Sequence, residues 1–244
     1  MRIAALTDIH GNLPALEAVL ADIRVRGADR IVQLGDALAG PLWPAETAEL
    51  LRSLALPCVR GNHERELGSD PARMAYASDR FTREQLGASD LEWIRGWPMT
   101  LRLGDDALLF HATPHDDDDY LLEDPASGYA QLRPEADVAA RLGDARARVL
   151  VCGHTHVPRV VRLRDGRTIV NAGSVGLPAY TDDAGGFHRH ENGSPHARYA
   201  LIDIRHQRVE ASIISVAYDW TASSARALRN GFPDWAAWLS TGRA

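Results

Sequence analysis

The sequence predicts an α/β fold with two sheets in a single domain over residues 1–244. Three observations carry that expectation. Over roughly the first sixty residues, apolar runs alternate with helix-period stretches, an order that builds a parallel sheet with its loops gathered at the carboxyl ends of the strands. From about residue 99 the pattern turns mostly to short strands. No linker-like stretch or internal repeat divides the chain.

The elements follow in order. Ile3 to Leu6 reads as a strand, followed by the polar Asp8-Ile9-His10-Gly11-Asn12. A helix starts at Leu13, because Leu13, Leu16, Leu20 and Ile23 recur at three- and four-residue steps. Asn12 suits its N-cap, Pro14 its first turn and Gly27 its stop. Ile31 to Leu34 is the second strand, Ala45 to Leu54 the second helix, and Cys58-Val59 a third short strand. A helical middle spans 79–95, with Phe81, Leu86, Leu91, Trp93 and Ile94 as its apolar contacts. Strands are expected at 99–103, 107–111, 148–152, 157–163, 167–171, 197–204 and 207–215, with hairpin turns at Arg164–Arg167 and Arg205–Gln207. A helix is expected at 134–142, and two short helices broken around Gly231 and Pro233 close the chain. The stretch 181–196, carrying His188, His190 and His196, reads as a solvated loop; Phe232, Trp235, Trp238 and Leu239 fall on one helical face suited to packing.

Composition narrows the chemistry. The chain holds 27 basic against 33 acidic residues, a net charge of −6, and no lysine. Schiff-base chemistry and a P-loop lysine are therefore excluded. A net negative chain is a poor partner for long nucleic acids or anionic membranes. Cys58 and Cys152 cannot build a disulfide framework or a thiolate zinc site, and both are expected as buried strand thiols. No apolar run approaches the roughly 20 residues that span a bilayer. The N-terminal run lacks a signal-peptide pattern, so a cytoplasmic location is expected. Oligomeric state is left open.

Five of the ten histidines stand in polar knots directly after expected strands: Asp8-Ile9-His10, Gly35-Asp36, Gly61-Asn62-His63-Glu64, His111 and Gly153-His154-Thr155-His156. In an extended segment, residues i and i+2 share a face, so Asp8 and His10 can converge on one ion, as can His154 and His156. Glycines 11, 35, 61 and 153 let the backbone turn or approach closely there. Oxygen and imidazole donors without thiolate suit manganese, iron, zinc, nickel or cobalt. Seven donors exceed what one ion needs while keeping open positions, so two ions sharing a carboxylate fit better.

This ordered set of knots resembles the calcineurin-like metallophosphoesterases, and most closely their small bacterial phosphodiesterase branch, which shares the Asp-Ile-His-Gly-Asn start. The likeness continues through Asn171-Ala172-Gly173-Ser174-Val175-Gly176, Arg198 to Asp203 and Tyr218-Asp219, covering essentially the whole chain. It implies a four-layer α-β-β-α sandwich of two mixed sheets flanked by helices. It also implies two divalent transition-metal ions, with manganese favoured for activity. Asp8, His10 and His156 would hold the first ion, Asp36 would bridge, and Asn62, His111 and His154 would hold the second. A hydroxide between the ions would attack phosphorus in line. His63 would be the non-ligand catalytic histidine, and Asn62, His63 and Asn12 would contact substrate.

One departure bears on substrate class. Related protein phosphatases and symmetrical dinucleoside tetraphosphatases carry G-D-x-x-D-R-G, whereas this chain reads Gly35-Asp36-Ala37-Leu38-Ala39-Gly40-Pro41. The carboxylate that would orient His63 is thus expected to be missing, and Glu64 is expected as a local salt-bridge residue. Arg60 and Arg65 are expected in surface pairs or on a phosphate, and the acidic run Asp116–Asp119 at the border of the site. The leading expectation is hydrolysis of small phosphodiesters. The alternatives are a phosphomonoesterase or dinucleoside polyphosphate hydrolase on the same metals, and a silent scaffold, which would be expected to have lost ligands that are all present here.

Overall fold

Two mixed sheets lie face to face in the computed structural model, which describes residues 1–206 and 208–244. Gln207, the last residue of the expected 205–207 turn, lies outside the described residues. The first half of the chain forms β1 (Arg2–Leu6), α1 (Leu13–Arg26), β2 (Arg30–Gln33), α2 (Pro44–Leu54), α3 (Asn62–Leu67), α4 (Ala77–Gln85), α5 (Ala88–Arg95), β3 (Thr100–Leu103) and β4 (Ala107–Phe110). Next come β5 (Glu123–Asp124), β6 (Gln131–Leu132), α6 (Glu135–Leu142), β7 (Val149–Cys152), β8 (Arg159–Arg162) and β9 (Thr168–Asn171). The remainder is β10 (Ala179–Asp182), β11 (His188–Glu191), β12 (Ala197–Arg205), β13 (Arg208–Val216), α7 (Trp220–Arg229) and α8 (Pro233–Thr241).

One sheet has the order β13-β12-β1-β2, the other β3-β4-β7-β9-β8. Strand alternation makes the layers. In β1, Ile3 and Ala5 point into an apolar layer shared with Leu109, Val151 and Val170 of the opposite sheet, while Ala4 and Leu6 pack against Leu16, Val19 and Leu20 of α1. On the far side, Phe110, Leu150 and Ile169 meet Val138 and Leu142 of α6. Helix, sheet, sheet and helix thus stack in the expected four layers. The parallel pairs β1–β2, β4–β7 and β7–β9 bring the loops that follow β1, β2, β4 and β7 to the carboxyl ends of these strands.

The structure differs from the sequence expectation in four places. Cys58 makes only a single bridge to Gln33, because the stretch between Pro57 and the Gly61 turn is too short for a strand. The 79–95 helix is two helices, α4 and α5, with Gly87 capping the second. The Gly-Asn-His-Glu knot opens a short helix, α3, in which Glu64 closes a capping box. The 181–196 stretch is largely the β10–β11 hairpin, with His188 and His190 fully buried. Their period of two, with Arg189 between them facing out, is a strand pattern. Among the described residues, no helix is long and apolar enough to cross a membrane.

Candidate metal centre

Two buried donor clusters sit where the strands end. Asp8, His10 and His156 form one, and Asp36, His111 and His154 the other; within each, the donor atoms lie within 4.8 Å of one another. His154 and His156 therefore divide between the clusters instead of sharing one. Their segment is not extended: both are left-handed, with φ of 68° and 58°. The same holds for Asp8 and His10, each at φ 52°, so their convergence comes from a kinked loop and not from strand alternation.

Each of the four clustered histidines has one ring nitrogen bound to a backbone carbonyl. Nδ1–H of His10 donates to Ala39 (2.6 Å), that of His111 to Leu34 (2.7 Å) and that of His156 to Leu177 (2.7 Å). His154 is reversed, its Nε2–H donating to the Asp118 carbonyl at 2.9 Å. A carbonyl only accepts, so each contact places a proton on the bonded nitrogen. Burial lowers His10 and His154 and leaves a lone pair on their other nitrogen. At His111 burial is overridden by the Asp36 charge, which raises it to about 10 and puts a second proton on the nitrogen facing Asp36 when no ion is bound.

The second nitrogens face nitrogen or oxygen atoms of neighbouring side chains. Nε2 of His10 and Nε2 of His156 stand 3.1 Å apart, and His156 Nε2 is 3.2 Å from Asp8 Oδ1. That Oδ1 is buried with no hydrogen-bond partner, whereas Oδ2 accepts from Thr7 Oγ1 and the His154 amide. In the second cluster, His111 Nε2 lies 3.2 Å from both Asp36 Oδ2 and Asn62 Oδ1. In the first cluster, acceptors gathered this closely repel unless a cation lies among them. In the second, the His111 proton occupies the place that an ion would take, and both oxygen-and-imidazole donor sets fit divalent ions. Burial, reinforced by His156, pushes His10 down to about 3 and keeps it neutral, the form a metal ligand needs. Burial likewise lowers His154. Burial would raise Asp36, but the neighbouring His111 and His63 outweigh it and hold the carboxyl well below its ordinary range.

The scaffold around the clusters is close-packed. A Cβ on Gly153 would come within 2.5 Å of Asp8 Oδ2, and one on Gly35, whose φ is 98°, within 2.6 Å of His111 Nδ1. Ser174 Oγ donates to the Asp8 carbonyl, and Asn171 Nδ2 to the Gly153 carbonyl, each at 2.8 Å. The Asn171–Gly176 motif thus braces two ligand loops. Glu64 is not a salt-bridge residue, contrary to expectation. Its carboxylate accepts the amides of Asp36, Ala37 and Gly61 at 2.8–2.9 Å, tying the Asp36 loop to α3. Burial and the Asp36 charge raise it to about 7, against those three amides.

His63 lies beside the clusters without joining them, its Nε2 3.9 Å from Asp36 Oδ2. Its Nδ1 bonds to Asp79 Oδ1 at 2.8 Å. The orienting carboxylate absent from the 35–41 stretch is therefore present, supplied by α4. Burial alone would lower His63, but the Asp79 and Asp36 charges override it and raise it to about 10. Asn12, expected to touch substrate, is fully buried and does not line the cleft. Its amide donates to Gly176 and Tyr218, its oxygen accepts from Ser223 and Ala15, and the side chain thereby caps α1. Arg60 and Arg65 pair with Asp117, and Arg65 also with Asp118. The acidic run is thereby anchored, and through the Asp118 carbonyl it sets the His154 ring.

Above the clusters opens a cleft of about 600 Å³, whose lining includes Tyr76, Tyr120, Tyr180, Trp235 and Trp238. No motif marks the tyrosines in the sequence; the tryptophans pack against Leu42 and Leu177 as expected and line the cleft as well.

Residues 1–205 match the family model described as the calcineurin-like phosphoesterase superfamily domain. An uncharacterized protein of Methanocaldococcus jannaschii is 27% identical, over 96% of this chain and 94% of that one. The crystal structure of a metallophosphoesterase from Sphaerobacter thermophilus is 28% identical, covers 99% of this chain and 100% of that one, and superposes with a TM-score of 0.77. With the family model spanning most of its length, the chain belongs to the calcineurin-like phosphoesterase superfamily, a family of metal-dependent phosphoric-ester hydrolases.

Proposed function

We propose that this protein hydrolyses small phosphodiesters at a centre of two divalent ions. The observation that carries the reading is the pair of adjoining buried oxygen-and-imidazole clusters, the first with two histidine nitrogens 3.1 Å apart beside the unpaired Asp8 Oδ1. Asp8, His10 and His156 would hold the first ion and Asn62, His111 and His154 the second, with Asp36 as the carboxylate available to both. When bound, the ions supply a nucleophile from water near neutral pH and positive charge at phosphorus. Manganese is the favoured pair, consistent with oxygen and imidazole donors.

The chain's own part in the chemistry centres on His63. With Asp79 taking the Nδ1 proton, Nε2 is the nitrogen presented to the cleft. There it donates to a phosphoryl oxygen or hands its proton to the departing alkoxide. Asn62 contributes its amide beside the same phosphate. The −6 charge of the chain does not repel this substrate, because two carboxylate ligands and two divalent ions leave the cluster at about +2.

The test loads metal-free protein with manganese, nickel, zinc or iron and compares bis-p-nitrophenyl phosphate with p-nitrophenyl phosphate. Metal-dependent turnover of the diester above the monoester is expected. The reverse preference replaces this reading with a phosphomonoesterase. Inactivity with both sites filled favours a silent scaffold.

A further inference from the structure

A phosphodiester has two arms, and the reaction proposed above leaves the non-departing one unspecified. The walls of the cleft bear on it. Trp235 stands over the first cluster, its ring 5.7 Å from His10 and nearly perpendicular to it, with Trp238 at 6.3 Å beyond. Across the cleft, Tyr180 lies 4.7 Å from His156, and Tyr120 5.0 Å from His154. Their hydroxyls are engaged in one chain: Tyr120 with His188 Nε2 (2.9 Å) and Tyr180 (3.0 Å), and Tyr180 with His190 Nδ1 (3.0 Å). What these tyrosines offer the cleft is therefore ring surface. Tyr76 completes the wall above His63, at 5.4 Å, and its hydroxyl donates to Asp182.

Charge sharpens the picture. Among the described residues no arginine lines the cleft, and the chain has no lysine, so beside the ions the side chain able to carry positive charge there is His63, which the reacting phosphate engages. Apart from the ligand Asp36, the acidic residue lining the cleft is Asp182, at its rim. An arm bearing a second phosphate would meet aromatic faces and a carboxylate, with nothing to neutralise it. A flat uncharged ring would stack on Trp235 or Trp238.

Resting on the phosphodiesterase reading, we infer that the cleft selects diesters whose non-departing arm is an uncharged aromatic group and rejects polyphosphate arms. The β10–β11 hairpin is then a specificity element: His188 and His190 fix the two tyrosines that face the substrate.

The experiment holds p-nitrophenolate as leaving group at saturating manganese and varies the other arm among methyl, phenyl and 2-phosphoethyl. The phenyl ester is expected to exceed the methyl ester in kcat/KM by about 10-fold or more, a ratio typical of one stacked ring, with the phosphoethyl ester below both. Trp238→Ala is expected to collapse the phenyl-to-methyl ratio, and Asp182→Asn to raise the phosphoethyl ester selectively. Binding gives a second readout: phenylphosphonate should quench tryptophan fluorescence at lower concentration than methylphosphonate. Equal phenyl and methyl rates, or a preferred phosphoethyl ester, overturn the inference. If no ester turns over with both ions bound, the phosphodiesterase reading fails, and the phosphonate comparison alone decides the aromatic preference; equal affinities then overturn it. The substrate and phosphonate series in the unmodified chain decide the matter even if a variant misfolds.

Discussion

Replacing Asp79 by asparagine isolates one contact. Asp79 is fully buried, its Oδ1 stands 2.8 Å from His63 Nδ1, and the substitution removes charge while keeping an oxygen in place. A hydrogen bond to a charged partner is worth about 1.5–3 kcal/mol net. If that energy keeps His63 protonated and aimed while its Nε2–H donates to the phosphoryl oxygen in the transition state, its loss should lower kcat roughly 10- to 150-fold, at 1.36 kcal/mol per decade. Metal content should not change, since Asp79 belongs to neither cluster. The assay is steady-state hydrolysis of bis-p-nitrophenyl phosphate with metal stoichiometry measured on the same samples. Asp79→Asn combined with His63→Ala should be no slower than His63→Ala alone, because the two residues act as one unit. In metal-free protein, NMR titration of His63 should shift downward from about 10 in Asp79→Asn. The sign for stability follows. A histidine raised from its ordinary 6.5 stabilises the fold fully below that pH and loses the contribution as pH rises toward about 10. Asp79→Asn should therefore flatten the alkaline fall in Tm over that window. A kcat within twofold of wild type, or independent additive effects of the two substitutions, would refute the reasoning.

Removing the ions should lower Tm by about 2–12 °C, since an orphaned buried acceptor such as Asp8 Oδ1 costs about 1–3 kcal/mol and each kcal/mol moves Tm by about 2–4 °C at this size; an unchanged melt after verified chelation would count against both ion sites. Gly153→Ala should weaken binding of the first ion at least ~10-fold, because its Cβ would come within 2.5 Å of Asp8 Oδ2 and 2.8 Å of Thr7 Cβ. Gly166→Ala, in the β8–β9 turn where a Cβ meets nothing within 4 Å, should leave metal binding alone; isothermal titration separates them. Burial, with Glu64 nearby, raises the Cys58 thiol to about 12, and burial also raises Cys152 well above its ordinary range, so at pH 8 both are protonated as well as shielded. Labelling by a thiol reagent should therefore follow global unfolding, and rapid native-state labelling would show the packing around β7 to be wrong.

What the sequence made legible was local. The periodicity of Leu13, Leu16, Leu20 and Ile23 sufficed for α1, because that face packs on an apolar sheet. The donor residues were legible because their types are rare in buried positions and all but Asn62, which follows the single Cys58 bridge, come directly after a strand. Asp79 was not legible. The inward face of α4 is Ser78, Asp79 and Thr82, so a search for apolar spacing passes over it, and Thr82 is buried to bind both backbone groups of Gly40. A helix whose buried stripe is polar is the signal that would have marked it. The β10–β11 hairpin was hidden by glycine and aspartate at its turn, although His188-Arg189-His190-Glu191 alternates as a strand should. Its histidines are buried by tertiary hydroxyls from Tyr120 and Tyr180, 60 residues apart in sequence.

The backbone records the same centre independently of the side-chain chemistry. Among the described residues, seven non-glycine residues have positive φ, and five of them are Asp8, His10, Asp36, His154 and His156. Left-handed backbone costs roughly 1–2 kcal/mol for a residue with a Cβ, somewhat less for aspartate and histidine. Five such positions amount to several kcal/mol, a large share of the ~5–15 kcal/mol that holds a domain together. They persist because the loops are over-determined: the Asp8 amide donates to Gly35, His10 to Asp36 and Gly11 to Ala37, all at about 3 Å, while Gly176 donates to the Asp8 carbonyl at 2.9 Å. An extended strand would have aimed Asp8 and His10 to one side at the cost of carrying their backbone past the strand ends. The left-handed turns fold the loops back over the sheet edge instead, so that donors from five separate segments meet. Strain concentrated on ligand positions, and absent from nearly every other non-glycine residue, is what a scaffold built to hold ions requires.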